Sequence, residues 1–94
     1  MKDLKESWIP VGVTEGLFSD ELIAKVKLAN GENVSLFADK DVVKHNGDKN
    51  YLKVFATIKL EKIETRTVLL PTEAFETSSR WIEVPSKEVN DDIE

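Results

Sequence analysis

The stretch Glu21-Leu-Ile-Ala-Lys-Val-Lys-Leu-Ala-Asn-Gly-Glu-Asn-Val-Ser-Leu-Phe-Ala38 decides the fold. Two alternating runs flank Asn30-Gly31, the pattern of a β-hairpin. A two-residue loop at Asn30-Gly31 would set Lys27 opposite Val34 and Lys25 opposite Leu36. Lysines would then share a face with the apolar residues of the partner strand. A three-residue loop, Ala29-Asn30-Gly31, sets Leu28 opposite Glu32, Val26 opposite Val34, Ala24 opposite Leu36 and Leu22 opposite Ala38. The other face pairs Lys27 with Asn33, Lys25 with Ser35 and Ile23 with Phe37. This register leaves one face nearly all apolar and gives Gly31 the positive φ of a bulge, so it is the one expected. Aspartate is expected to serve at position 30 as well as asparagine.

Outward from the hairpin, Trp8–Thr14 reads as a first strand, with Pro10 expected at an edge or strand end because it lacks a donor. Gly12 and Gly16 mark bends, and Leu17 and Phe18 are expected to cap one end of the core. After Ala38, Asp39 is placed to cap one helical turn that tucks Val42 or Val43 under the sheet. Lys44–Asn50 reads as a polar loop with Asn46-Gly47 at its tip. The run Tyr51–Leu60 alternates strictly, with Leu52, Val54, Ala56, Ile58 and Leu60 on one face and Lys53, Phe55, Thr57 and Lys59 on the other. The chain reverses over Glu61–Thr65. Arg66–Leu70 returns as a strand with Val68 and Leu70 inward, stopped by Pro71. Thr72 is a candidate cap for one short turn that buries Phe75. Trp81–Val84 is the last strand. Two segments, Phe37-Ala-Asp-Lys-Asp-Val42 and Val84-Pro-Ser-Lys-Glu-Val89, share a pattern and are read as similar exits from strand into turn.

These elements predict an all-β fold: a small antiparallel β-barrel or sandwich of about six strands with one or two short helical turns. Architecturally this is similar to Src-homology or oligonucleotide/oligosaccharide-binding barrels, an analogy of shape carried by no motif. The 94 residues read as one domain, 1–94, with charged ends 1–7 and 90–94 expected to be flexible.

The chain has no cysteine, which excludes disulfides and thiolate metal sites. Its net charge of −5 argues against a nucleic-acid partner held through phosphates. No apolar run reaches membrane-spanning length, and Met1–Ser7 lacks the apolar stretch of a signal peptide. A cytoplasmic location without membrane association is the expectation. Asn33-Val34-Ser35 matches a glycosylation acceptor and is read as a chance match.

His45 is the only histidine, and no nucleophile elbow or phosphate-binding glycine loop accompanies it. A metal site would need His45 with Asp41 and Asp48, and Asp39 with Asp41 lacks the rest of a calcium loop. His45 is therefore read as a solvated loop residue. No catalytic residue, cofactor or metal is expected, and the chain is read as a non-enzyme. Two surfaces are candidates for binding. Lys53, Phe55 and Lys59 put cations around an aromatic ring on one strand face, with Arg66 able to join across the hairpin, as a single-strand nucleic-acid binder would. Ile23 and Phe37 are opposed on an otherwise polar face, so something should cover them, either the chain itself through Trp8 or Trp81, or a partner. The leading expectation is a non-catalytic protein-interaction module or small subunit of a larger assembly, with a protein partner or a second copy bound at an exposed aromatic patch or a sheet edge. Weak single-stranded nucleic-acid binding through the Lys53/Phe55/Lys59 face is the alternative.

Overall fold

The computed structural model describes residues 4–16, 20–57 and 64–90. Seven antiparallel strands form one sheet: β1 (Leu4–Glu15), β2 (Glu21–Lys27), β3 (Asn33–Asp39), β4 (Val43–Asn46), β5 (Lys49–Thr57), β6 (Thr65–Leu69) and β7 (Trp81–Pro85). The order is β3-β2-β1-β5-β6-β7, with β4 pairing on β5 beside this path, and the sheet curls into a half-barrel.

The β2–β3 hairpin has the expected register from Glu21↔Asp39 to Lys27↔Asn33, including Val26↔Val34 and Ile23↔Phe37. Leu28 N–H donates to Glu32 O at 2.7 Å and Gly31 N–H to Leu28 O at 3.0 Å, which closes the three-residue loop. Gly31 has φ +90°, where an L side chain clashes with its own backbone. Asn30 is more specific than its sequence position suggested. Its Oδ1 accepts from Glu32 N–H at 2.9 Å, and its Nδ2 donates to Glu32 Oε1 at 2.8 Å. Aspartate could keep the first bond, but would set a carboxylate against Glu32.

β1 is the longest strand among the described residues and begins at Leu4, so four residues assigned to the charged start belong to the sheet. Its residues 4–11 pair with β5, and its residues 12–15 pair with β2. Pro10 sits inside the strand, not at its end. The backbone of Trp8 faces away from β5, because it exchanges both hydrogen bonds with Asn90 at 2.8 Å. Pro10, two residues on, points its nitrogen the same way, into a gap before the ladder to β2 starts at Gly12↔Lys25. The missing donor therefore falls at a local edge. At the far end of β1, Gly16 N–H donates to Glu21 O at 3.0 Å, and a Cβ on Gly16 would come within 2.9 Å of that oxygen.

Strand parity then builds the core. Leu52, Val54 and Ala56 of β5, and Val68 with Leu70 after it, are buried as their alternation requires. They pack with Ile9, Ala24, Val26, Val34, Leu36, Ala38, Ala74, Ile82 and Val84 in one cluster. Each such aliphatic side chain contributes about 1.5–3 kcal/mol when fully buried, so this cluster, not the exposed polar contacts, holds the curl. The similar exits from β3 and β7 are both 3₁₀ turns, Lys40–Val42 and Ser86–Glu88. Asp39 makes no side-chain cap on the first; its neighbour Lys40 donates its N–H to Asp20 O at 3.1 Å instead, while Val42 and Val43 pack against the core.

Three expectations are corrected. The polar loop at 44–50 is a tight hairpin, with β4 and β5 paired from Val43↔Leu52 to Asn46↔Lys49 around Gly47-Asp48. The single turn after Pro71 falls at Ala74–Ser78, where Ser78 N–H donates to Ala74 O at 2.9 Å, and is not capped by Thr72; Ala74 is buried and Phe75 is 47% exposed. Asn90 is bonded to β1 rather than loose. Leu17, Phe18, Ile58, Leu60, the reversal over 61–63 and residues 91–94 lie outside the described residues.

The loop geometry predicts that Gly31→Val lowers stability by ~1–2 kcal/mol in urea unfolding. Asn30→Asp should lower it by less, with the loss shrinking in high salt as the two carboxylates are screened.

Candidate interaction face

Sheet edges are the first place to look for a docking site, because an open edge adds strands from another chain. The segment 71–80 occupies the outer edge of β3. Phe75 N–H donates to Ser35 O at 2.8 Å, Ser35 N–H to Glu76 Oε1 at 2.8 Å, and Thr72 Oγ1 to Phe37 O at 2.7 Å. Leu70 N–H donates to Arg80 O at 2.7 Å and Arg80 Nε to Leu70 O at 3.0 Å, clasping the base of the loop. The outer edge of β7 is also engaged. Glu83 O accepts from Ala29 N–H at 2.9 Å, Trp81 N–H donates to Ser79 Oγ at 3.0 Å, and Pro85 has no N–H to offer. β4 is four residues long, too short to template much.

Of the pair Ile23/Phe37, Phe37 is covered in part by the chain itself, through Phe75 and not a tryptophan. Both residues are half-buried, and the Phe75 ring packs edge-on against Phe37 with centroids 4.7 Å apart at 65°. Trp8 lies on β1 beside β5, with Lys44 Nζ 5.3 Å from its ring centroid. Trp81 is on β7.

The Lys53/Phe55/Lys59 face is only partly as expected. Lys53 forms an ion pair with Glu6 at 3.5 Å, and Lys59 lies outside the described residues. Arg66 does not join this face. It is 3% exposed and turned to the core side, where its Nε and Nη2 both donate to Thr57 O, at 2.8 and 2.5 Å. Its parity with Val68 already required this, because alternate residues of one strand share a face. His45 is exposed on β4 opposite Asn50, and among the described residues no group of three His, Asp or Glu is placed to hold a metal ion. No helix among the described residues is long and apolar enough to cross a membrane.

Phe55 instead belongs to a row that spans three strands. Phe55 pairs with Leu69, and Leu69 pairs with Trp81, so the three side chains stand side by side on the outer face. Phe55 is 43% exposed and Trp81 is 51% exposed. Glu6 flanks the row beside Phe55, and Thr67 and Glu83, two residues along β6 and β7, lie next on the same face. Beside Trp81, a shallow hollow reaches the hairpin loop at Ala29 and Asn30. Sequence reasoning singled out Phe55 and missed Leu69 and Trp81. The signal was present: with Ile82 and Val84 inward, Trp81 must face out.

No protein-family model matches the chain, and neither a curated protein nor a solved structure matches it.

The edge-on ring pair predicts that Phe75→Ala lowers stability by about 1 kcal/mol. It should also speed hydrogen exchange at Ser35, whose N–H the loop holds, while amides of β5 and β6 keep their protection.

Proposed function

We propose that this chain is a non-catalytic interaction module that holds a protein partner against the outer face of β5, β6 and β7. The observation that carries this reading is the Phe55–Leu69–Trp81 row. Two large rings, each about half exposed and adjacent across a rigid sheet, give apolar contact area at little conformational cost. The row sits on ladders instead of a loop, so it is ordered before a partner arrives. The occupied edges of β3 and β7 favour face docking over strand addition. Glu6, Lys53 and Glu83 give it a polar rim of both signs. Nucleic-acid binding is less well supported, because Lys53 is neutralised by Glu6 and Arg66 is inside.

The test is a pair of variants, Trp81→Ala and Phe55→Ala, used separately and together. Each should cost no more than about 1 kcal/mol of stability, since much of each ring already meets water. A partner co-purified with the wild type should be lost from the double variant, and a concentration-dependent dimer, if the partner is a second copy, should become monomeric in sedimentation. Recovery of the same partners by the folded double variant would remove this face from the proposal. Tight binding of a single-stranded oligonucleotide at physiological salt, abolished by Lys53→Glu, would replace the protein partner with a nucleic acid.

A further inference from the structure

The gap beside Pro10 opens a cleft on a different side of the molecule. The backbone of β1 is bonded to Asn90 at Trp8 and to β2 from Gly12 onward, and between them, on the edge away from β5, no strand among the described residues lies against Pro10. A cleft of about 430 Å³ occupies this break, within the range of small-molecule sites, roughly 300–1,000 Å³. Its lining is largely apolar: Pro10, Val11 and Pro85 are half-buried there, with the buried Val26 and Val84 beneath them. One rim carries Lys25 and Lys27, two residues apart on β2 and both exposed, with Asn33 opposite Lys27 on β3. The other rim carries Pro85 and Glu88.

Neither Lys25 nor Lys27 forms an ion pair among the described residues, so both ammonium groups are free to meet a ligand. Alternation alone would put two lysines on the solvated face of a hairpin. It does not set them over an apolar hollow.

We propose that this cleft binds a small organic anion, an apolar body carrying one carboxylate. The apolar part lies against Pro10, Val11 and Pro85, the carboxylate is held between the Lys25 and Lys27 ammonium groups with the Asn33 amide in reach of that rim, and Glu88 repels it from the other rim, which fixes the orientation. Gly12 lines the cleft, and a Cβ there would meet nothing closer than Lys25 Cβ at 3.9 Å, so a side chain can be added without a clash. This site is independent of the Phe55–Leu69–Trp81 face.

The test uses decanoate and its neutral counterpart decanol, titrated below the micellar range at constant ionic strength and followed by backbone amide chemical shifts. In the wild type, decanoate should move the amides of Gly12, Lys25, Lys27 and Glu88, and bind more tightly than decanol. Lys25→Gln/Lys27→Gln should weaken decanoate roughly ten-fold while leaving decanol unchanged. Gly12→Val, filling the cleft at a strand position, should weaken both; Trp81→Ala should alter neither. Spectra of the free variants establish that each is folded, and the lysine pair, being exposed, decides the matter should Gly12→Val not fold. No shifts with decanoate in the wild type, equal affinity for decanol, or shifts centred on Phe55 and Trp81 would each overturn the proposal.

Discussion

β1 is held by two ladders in succession, and that constraint shapes the rest of the molecule. Its first eight residues are committed to β5 and its last four to β2. A strand that changes partner along its length must twist, and the twist carries β2 and β3 over the core face of β5, β6 and β7. The apolar faces of the two halves then meet around Ile9, Leu36, Leu52 and Val54. Proline fits at the change because the backbone there has no partner on one side. The same break leaves the cleft between β2 and the turn that follows β7.

The half-barrel has ends to protect, and long-range contacts protect them. The loop from Pro71 to Arg80 crosses to β3 and engages the outward-facing Ser35 N–H, Ser35 O and Phe37 O. The hairpin loop reaches β7 through Ala29, and Asn90 returns to β1. Where β5 and β6 part after Ala56↔Val68, Arg66 brings its guanidinium to the Thr57 carbonyl. Burying an arginine is costly unless its donors are engaged, and the Thr57 carbonyl at the ladder end accepts from two of them. These contacts leave the outer face of the sheet, with its aromatic row, as the larger uncovered apolar feature beside the cleft.

What the sequence determined by itself is what depends on neighbours along the chain. The register of the β2–β3 hairpin followed from alternation plus one glycine that must take positive φ, because slipping the pairing by one residue would put Lys25 and Lys27 onto the core face. The inward sets of β5 and β6 followed from the same period of two, and so did the exposure of Phe55. Parity also contained the inward turn of Arg66 and the outward turn of Trp81. What only the tertiary structure decided is which distant segments meet. No local rule sets Leu69 between Phe55 and Trp81, makes Phe75 rather than a tryptophan the cover for Phe37, or opens a cleft between Lys25 and Glu88. Those placements depend on which strands pair and which loop an edge recruits, and the reason is physical: periodicity fixes the face of a side chain, whereas pairing is chosen by the burial of the whole core.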